Sequence, residues 1–354
     1  MKLPYNTTSV CGTCYRHIPG TVHAVDDKVY ITKTCEEHGT QTHLVENSLE
    51  FFNSLTKTYS EEYWWDVVLI EVTDRCNLAC PHCYHLPDNR TTDRSIESIV
   101  EQVKNIKCDK VMFAGAEPTV RKDFIELVRA VRDCGKVVHI LTNGVKLADE
   151  EFVLSLRKAG VHSVAIGLNH ADYQGKTVHF KQLQGIRNCV THGIKIAYIG
   201  YTLENEEQLI DTLHEIQAFT NITHHVRIRF GSRIGRVPNE PLRTLSDNYT
   251  SISRIATKSG FNISRIDGDD NIYHIMLLIG KMRVRLIQWP NVDNIILDEL
   301  ATGPWCQFYD GPITNFVHQV ITRDGYKNLN LKMLDECPAK YHYAEQSELY
   351  KVNV

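Results

Sequence analysis

The stretch "VVLIEVTDRCNLACPHC", residues 67–83, joins an apolar segment to a loop that contains three cysteines. The segment "VVLIEV" has the length and the β-branched content of a buried strand. Cys76, Cys80 and Cys83 follow it directly, at the end of a strand where α/β proteins place their active sites. Because so short a loop can bring its thiols together, the stretch predicts a metal site at the start of an α/β fold.

Three thiolates leave two chemical interpretations of this loop. A structural zinc ion takes four protein ligands, so zinc would need His82 or His85 as the fourth. An iron–sulfur cluster held by three cysteines instead leaves one iron free to bind a substrate or a cofactor and to pass it an electron. Structural zinc sites usually come as paired knuckles, so the sequence favours the iron–sulfur interpretation.

Downstream of the loop, strand-like segments alternate with amphipathic segments. After the second strand, for example, Phe124, Leu127, Val128 and Val131 recur at helical spacing. The six strand-like segments are VVLIEV, KVMFAG, KVVHILTNG, VHSVAIGL, IKIAYIGYTL and HVRIRFGS. Six alternating units imply parallel strands with helices outside the sheet. The periodicity leaves open whether the sheet is flat or curled into a barrel.

The second strand ends in a turn that is suited to a ligand. In "FAGAEPT", Gly115 and Ala116 let the backbone approach a bound molecule closely. Glu117 offers a hydrogen-bond acceptor, and Pro118 fixes the turn. Parallel strands end at the same edge of a sheet, so we expect this turn to lie beside the cysteine loop.

Together, the Cys-x3-Cys-x2-Cys loop and the Gly-Ala-Glu-Pro turn resemble the radical S-adenosylmethionine (radical SAM) superfamily over about residues 66–235. The resemblance implies a partial (β/α)6 TIM-like barrel, in agreement with the six counted units. It also implies a [4Fe–4S] cluster on Cys76, Cys80 and Cys83, whose open iron binds S-adenosylmethionine. One electron then cleaves the cofactor to methionine and a 5′-deoxyadenosyl radical, which abstracts hydrogen from an unactivated C–H bond.

The same resemblance suggests further cofactor-binding residues. Gly115, Ala116, Glu117 and Pro118 would contact the methionine part, with Ala116 where the family usually has glycine. The family reduces its cluster with an external one-electron donor, such as a flavodoxin or a ferredoxin. The reduced cluster would then pass this electron to S-adenosylmethionine, and cleavage of the cofactor would give the radical described above.

Two polar positions on later strands are weaker candidates for the cofactor site. Asn169, at the end of the fourth strand, stands where the family places a ribose contact, although a helix N-cap or turn role is equally consistent. Arg227 and Arg229 lie on one face of the sixth strand. If that face points into the barrel, Arg229 would bind the carboxylate of the cofactor or of an anionic substrate.

A second Cys/His cluster precedes the barrel. Cys11-x2-Cys14 and Cys35-x2-His38 are two knuckles at zinc-ribbon spacing, which predict a closed tetrahedral Zn²⁺ site, with mononuclear iron as the alternative. The Lys-x-Cys-x-x-His-Gly pattern resembles the N-terminal region of radical enzymes related to tetraether lipid synthase and pterin methylases. That second resemblance implies lipid-like or pterin-like substrates without fixing one.

The sequence divides into three expected domains. Residues 1–58 form the metal-binding domain, 66–240 the barrel, and 241–354 an α+β extension that closes the open side of the barrel. "YHIMLLIG" and "MRVRLIQW" predict a hairpin in the extension. Its Cys306 and Cys337 are too few to hold a four-thiolate auxiliary cluster unaided.

Composition excludes several other functional classes. The chain has 354 residues, 42% of them hydrophobic, with a net charge of −4, so nucleic acid is not indicated as a partner. No apolar run is long enough to cross a bilayer and no signal peptide is visible, so a cytoplasmic location is the expectation. The predicted function is a radical SAM enzyme acting on a small molecule, with modification of a peptide or protein side chain as the alternative.

Overall fold

The structure is a computed structural model, and most of the chain up to residue 296 can be described. The described residues are 2–14, 16–55, 67–81, 83, 87–106, 108–223, 225–231, 243–288 and 293–296. The two histidines considered as zinc ligands, His82 and His85, lie outside these residues, as do Cys306 and Cys337.

The N-terminal region is a four-stranded antiparallel sheet in which each strand pairs with the next. Its elements are β1 (Tyr5–Val10), β2 (His17–Val25), β3 (Lys28–Cys35), β4 (Gly39–Glu46) and helix α1 (Leu49–Ser54). The knuckle residues sit in the β1–β2 and β3–β4 turns. Val22, Val29 and Ile31 are fully buried, so this sheet has an apolar layer in addition to its metal site.

The middle of the chain confirms the predicted βα repeat. Its strands are β5 (Val68–Thr73), β6 (Lys110–Gly115), β7 (Val137–Thr142), β8 (Ser163–Gly167), β9 (Lys195–Leu203) and β10 (Val226–Phe230). Its helices are α2 (Ile96–Asn105), α3 (Phe124–Asp133), α4 (Glu150–Ala159), α5 (Ala171–Gln174), α6 (Lys176–Thr191) and α7 (Gln208–Gln217). The predicted α3 face is fully buried: Phe124, Leu127, Val128 and Val131 all have 1% exposure or less.

The strand order favours a barrel over a doubly wound sheet. Strands β5 to β10 lie side by side in chain order, and every neighbouring pair is parallel. A doubly wound sheet reverses its order at a switch point, whereas a TIM-like barrel keeps the order of the chain. The fold is therefore the predicted partial barrel, and the ends of all six strands that lead into loops and helices share one edge.

The described part of the C-terminal extension continues this sheet. It consists of α8 (Leu245–Lys258), β11 (Ile263–Asn271), β12 (His274–Ile279) and β13 (Met282–Ile287). Strands β12 and β13 form the predicted hairpin, with Gly280 in a left-handed conformation in the turn. Strand β13 pairs in parallel with β10, so the extension adds three strands beyond the sixth barrel strand.

The N-terminal sheet is attached to the extension by side-chain hydrogen bonds. Ser9 Oγ donates to the Ile295 carbonyl at 2.6 Å, and Asn294 Nδ2 donates to the Leu44 carbonyl at 3.0 Å. At the start of α8, the backbone N–H of Ser246 donates to Glu46 Oε2 at 3.1 Å. Glu46, the last residue of β4, thus caps a helix of the extension. Among the described helices, none is long and apolar enough to cross a membrane.

Candidate functional site

The cysteine loop leaves the sheet after β5 and is braced at its base. Arg75 forms an ion pair with Asp93, and Thr73 Oγ1 donates to the same carboxylate at 2.5 Å. Further along, the Cys76 backbone N–H donates to Asn89 Oδ1 at 2.9 Å. These contacts hold the first part of the loop at the carboxyl edge of the barrel strands.

The three thiols of this loop lie in one partly buried region. Burial is the main cause that raises the pKa of Cys76 to about 11 and that of Cys80 to about 12, and the neighbouring Cys83 contributes to both increases. Without a cation the thiols of Cys76 and Cys80 are therefore protonated at neutral pH. A metal that binds thiolates supplies the missing positive charge, so the donor set is suited to metal ligation.

The Gly-Ala-Glu-Pro turn is joined directly to the cysteine loop. The Ala116 backbone N–H donates to the Thr73 carbonyl at 2.9 Å, and that of Glu117 donates to the Arg75 carbonyl at 3.0 Å. Gly115 has a φ of +111°, and a Cβ atom there would lie 2.3 Å from the Thr73 carbonyl oxygen. Only glycine permits this contact between the two turns.

We expect Gly115→Ala to lower the free energy of unfolding by about 2–6 kcal/mol. A left-handed backbone costs an L-residue ~1–3 kcal/mol, and overlap with the Thr73 main chain costs ~1–3 kcal/mol more. Gly135→Ala is the matched control, since Gly135 also has a positive φ, of +83°, but a Cβ there would meet no atom within 4 Å. Urea denaturation measures both variants, and equal losses of stability would contradict the role of the close contact.

Glu117 is a buried carboxylate that links two turns. Its Oε1 atom accepts from Thr142 Oγ1 at 2.7 Å and from the Thr119 N–H at 3.1 Å, and Oε2 accepts from the Asn143 N–H at 2.6 Å. Burial raises the pKa of Glu117, and these hydrogen bonds oppose the increase. In the structure the residue ties the β6 turn to the β7 turn, and its contact with the cofactor stays a prediction.

Asn143 is a site residue that the sequence analysis did not identify. Its Nδ2 atom donates to Asn77 Oδ1 at 2.7 Å and lies 3.8 Å from Cys76 Sγ. Because its backbone N–H binds Glu117, it connects the buried carboxylate to the cysteine loop. The only sequence signal was the "TNG" at the end of the third strand.

Asn169 is held in a left-handed conformation with a φ of +58°. Its Oδ1 atom accepts from the Thr202 N–H at 2.8 Å, while His170, rather than Asn169, caps α5. His179 places Nδ1 3.1 Å from the Asn169 carbonyl and Nε2 2.8 Å from Glu215 Oε1. Both ring nitrogens face oxygen acceptors, and the Glu215 hydrogen bond raises the pKa of His179, so the imidazolium form holds Asn169 in place.

Arg229 is connected to Asn169 through Thr202, which forms hydrogen bonds with both residues. Its Nε atom donates to Thr202 Oγ1 at 2.9 Å, and its charge opposes the rise in the pKa of Cys80. Arg229 is half-buried and shares a face of β10 with Arg227, as the strand alternation predicts. The structure thus brings Arg229 toward the cysteine loop, and its role as a cofactor ligand stays a prediction.

The N-terminal Cys/His cluster has the geometry of a closed zinc site. Cys14 Sγ and Cys35 Sγ are 3.8 Å apart, and His38 Nδ1 lies 3.7 Å from Cys11 Sγ and 3.4 Å from Cys35 Sγ. A tetrahedron with Zn–S bonds of ~2.3 Å has edges of about 3.8 Å, so the four side chains fit one ion.

The surroundings of this cluster favour a thiolate. Burial raises the pKa of Cys11, but hydrogen bonds from the backbone of Cys14 and Thr13 outweigh burial and hold it at about 6. Lys33, from the Lys-x-Cys pattern, is 1% exposed and donates from Nζ to the Val10 carbonyl at 2.7 Å. This lysine joins β3 to the residue immediately before the first knuckle.

Comparison with known proteins agrees with both metal sites. Residues 70–216 match the model of the radical SAM superfamily, and residues 3–47 match that of the HMPTM N-terminal zinc ribbon domain. The chain is 28% identical over 235 residues to 7,8-dihydro-6-hydroxymethylpterin dimethyltransferase of Methanocaldococcus jannaschii, covering 56% of this chain and 46% of that protein. Fe-coproporphyrin III synthase of Methanosarcina barkeri is 31% identical over 209 residues, or 54% of this chain and 51% of that protein.

The name of a third relative describes a substrate of a different class, a peptide. PqqA peptide cyclase of Bradyrhizobium diazoefficiens is 26% identical over 214 residues, covering 47% of this chain and 56% of that protein. The chain spans about half the length of the curated relatives it matches. The names of the relatives span pterin, porphyrin and peptide chemistry, so the matches support an enzyme family and not one substrate.

The two family matches define the cofactors. A radical SAM domain implies a [4Fe–4S] cluster and S-adenosylmethionine, and the members of the superfamily are enzymes. A zinc ribbon whose four ligands form a Cys3His set indicates zinc. Residues 70–216 are therefore a radical SAM domain, and a zinc ribbon of the HMPTM type, residues 3–47, lies ahead of it.

Proposed function

We propose that the chain abstracts hydrogen from an unactivated C–H bond of a small molecule, and that pterin-like or lipid-like compounds are the leading substrate class. The observation that carries the proposal is the three-thiol loop at the carboxyl edge of the parallel strands, hydrogen-bonded to the Gly115 turn. When bound, the [4Fe–4S] cluster supplies one electron to S-adenosylmethionine, and the cofactor supplies the radical that removes the hydrogen atom.

The chain's own residues have separate tasks in this proposal. Cys76, Cys80 and Cys83 hold the cluster, and their place within the residues that match the radical SAM model supports that assignment. The residues of the Gly-Ala-Glu-Pro turn position the amino-acid part of S-adenosylmethionine. Polar groups at the ends of β8 to β10 form hydrogen bonds to the remainder of the cofactor. The residues of the turn are Gly115, Ala116, Glu117 and Pro118. The polar groups at the strand ends are Asn169 and Arg229.

Two findings support a pterin-like substrate over other small molecules. The zinc ribbon matches the HMPTM type, and the relative from M. jannaschii is named as a pterin dimethyltransferase. The zinc ribbon touches the extension through Glu46 and Ser246, so a domain of this type is built into the body of the protein. A reduced flavodoxin or ferredoxin in the cytoplasm would supply the electron.

Modification of a peptide side chain is the second candidate. The 26% identity to a PqqA peptide cyclase favours it, since that relative's name describes a peptide substrate. A peptide needs an elongated opening, whereas a pterin needs a compact pocket. The substrates that stimulate cofactor cleavage distinguish the two candidates.

Anaerobic reconstitution with iron and sulfide tests the proposal. We expect the reduced protein to convert S-adenosylmethionine to 5′-deoxyadenosine, and a dihydropterin to increase that rate and to gain or lose mass. An increase with peptides alone would favour the second candidate. If an intact cluster gave no 5′-deoxyadenosine, the proposed chemistry would be wrong.

A further inference from the structure

The sulfur of Cys76 has a polar neighbour from outside its own loop. Asn143 follows β7, 67 positions along the chain, and its Nδ2 atom lies 3.8 Å from Cys76 Sγ. A second N–H comes from within the loop, where the backbone of Leu78 donates to the same sulfur at 3.3 Å. The sulfur therefore has one hydrogen-bond donor that belongs to the cysteine loop and one that the barrel supplies.

The hydrogen-bond network fixes which end of the Asn143 amide faces the sulfur. The oxygen and the nitrogen of an amide are told apart by their partners, since their shapes are nearly the same. Here Oδ1 accepts from the Val145 backbone N–H at 3.0 Å, and a backbone N–H can only donate. The NH2 group therefore lies on the opposite side, toward Cys76.

This NH2 group has one hydrogen for each of two acceptors. One is directed to Asn77 Oδ1 at 2.7 Å, which leaves the other for Cys76 Sγ. Asn77 Oδ1 itself lies 3.9 Å from the sulfur. An oxygen so close to a thiolate is unfavourable, and the hydrogen bond from Asn143 offsets part of that effect. Asn143 thus acts on the sulfur directly and through its neighbour.

The barrel holds the main chain of Asn143 on both sides of its amide. The backbone N–H donates to Glu117 Oε2 at 2.6 Å, and the carbonyl accepts from Gln182 Nε2 at 2.7 Å. Gln182 belongs to α6, is 1% exposed and also donates to the Gly167 carbonyl at 2.8 Å. The β6 turn and α6 therefore fix this residue before a cluster binds.

Close packing leaves the turn little freedom to move away from the sulfur. Gly144 has a φ of +77°, and a Cβ atom there would lie 2.9 Å from Ile166 Cγ2. A Cβ atom on Gly185 of α6 would lie 2.7 Å from the Gly144 carbonyl oxygen. The Asn143 amide is thus preorganised by the strand beside it and by the helix behind it.

A hydrogen-bond donor at a cluster sulfur changes the energy of the reduced state. A thiolate is a stronger acceptor than a neutral thiol, because charge assists the hydrogen bond. One-electron reduction adds a further negative charge to a cluster and its ligands, so a donor stabilises the reduced form more than the oxidised form. Hydrogen bonds to the sulfurs are accordingly one of the factors that set the potential of iron–sulfur clusters.

We propose that Asn143 is a positioning residue of the radical SAM site, which donates an N–H to the Cys76 sulfur and raises the reduction potential of the cluster. The inference rests on the proposed function, since it takes Cys76 as a cluster ligand. It separates two roles at this end of the site. The thiolate binds iron, and the amide determines how readily the site accepts an electron.

Asn143→Ser tests this role in the full, reconstituted chain without S-adenosylmethionine. A serine hydroxyl can still accept from the Val145 N–H, but its side chain ends one bond short of the Nδ2 position. Potentiometric titration with titanium(III) citrate, followed by the electron paramagnetic resonance of the reduced cluster, measures the potential. We expect the equilibrium constant for reduction to fall about three- to tenfold, a shift of about 28–59 mV to more negative potential for a one-electron couple.

Asn205→Ser is the matched control. Asn205 is exposed after β9, and its Oδ1 atom accepts from the Gln208 backbone N–H at 3.2 Å. The same substitution there removes an NH2 group and keeps a local turn, so we expect the potential of the unmodified protein. Asn143→Asp is a second test variant, in which a carboxylate oxygen replaces the NH2 group. We expect it to shift the potential further in the same negative direction.

Equal or higher potentials for both Asn143 variants would overturn the role, as would a shift of the same size in Asn205→Ser. Loss of iron and sulfide from both Asn143 variants would also overturn it, since the amide would then serve cluster assembly and not the potential. The proposed function fails separately, if the unmodified protein forms no reducible cluster or no 5′-deoxyadenosine. An intact cluster whose potential does not depend on Asn143 would remove this inference alone.

Discussion

Cys80→Ala should reduce 5′-deoxyadenosine formation to the level of an enzyme-free control. Cys80 is one of three thiols in the loop after β5, and a cluster held by three cysteines does not assemble stably on two. We expect the variant to lose iron and sulfide after reconstitution while the zinc of the N-terminal site remains. Metal analysis and quantification of 5′-deoxyadenosine measure the two effects on the same sample.

Cys134→Ala is the matched control for this substitution. Cys134 lies at the end of α3 on the outside of the barrel, and its thiol donates to the Ala130 carbonyl at 3.3 Å. We expect this variant to keep both metals and full cleavage of the cofactor. If Cys80→Ala also removed the zinc, the separation of the chain into two independent metal sites would be wrong.

Cys14→Ser should release the N-terminal metal and unfold the four-stranded sheet around it. Structural zinc contributes ~10–16 kcal/mol to the folding of small zinc domains at neutral pH. We expect zinc content to fall close to zero and hydrogen exchange to increase across β1 to β4. Mass spectrometry of exchanged peptides locates the change, and iron content measures whether the barrel cluster persists.

The corresponding control is Cys108→Ser, the same substitution outside the zinc ribbon. Cys108 is half-buried before β6, and its thiol donates to the Lys110 carbonyl at 3.4 Å. We expect normal zinc content and normal exchange in the N-terminal sheet. Retention of zinc by Cys14→Ser would show that three ligands suffice, in conflict with the tetrahedral geometry of the cluster.

The barrel could be predicted because each of its strands and helices is indicated by residues that are close together in the sequence. Buried parallel strands appear as short apolar runs, and helix faces such as Phe124 to Val131 appear at helical spacing. The order of the strands followed from the βα repeat, since consecutive units of this kind usually lie side by side. The hairpin of β12 and β13 was predictable for the same reason, because Gly280 and Lys281 separate two apolar runs.

Contacts between distant segments were not predictable from those patterns. The pairing of Arg227 with Arg285, which are 58 positions apart, depends on the register between β10 and β13, and these are not consecutive strands. The attachment of Glu46 to the start of α8 likewise joins residues that are 200 positions apart. The regular sheet of the N-terminal region was not predictable either, because strands such as "HIPGTVHAV" contain too few apolar residues to produce a clear signal.

The candidate site was predictable in its residue types and less so in their contacts. The spacing predicts the three cysteines as cluster ligands, but a spacing says nothing of Asn143, which lies 3.8 Å from Cys76 Sγ. Glu117 was expected to face a ligand, whereas its carboxylate accepts four hydrogen bonds from the protein, at 2.5, 2.6, 2.7 and 3.1 Å. Side-chain direction in a turn depends on the neighbouring turns, and these come from other strands.

The parallel pairing of β13 with β10 has a consequence for synthesis on the ribosome. Strand β10 ends at Phe230, and its outer neighbour begins 52 positions later, at Met282. At about 5–20 residues per second, the outer edge of β10 is exposed for roughly 3–10 s before its partner is made. An exposed strand edge is a template for aggregation. The nascent chain is therefore most vulnerable in that interval, and the arrival of the β12–β13 hairpin ends it.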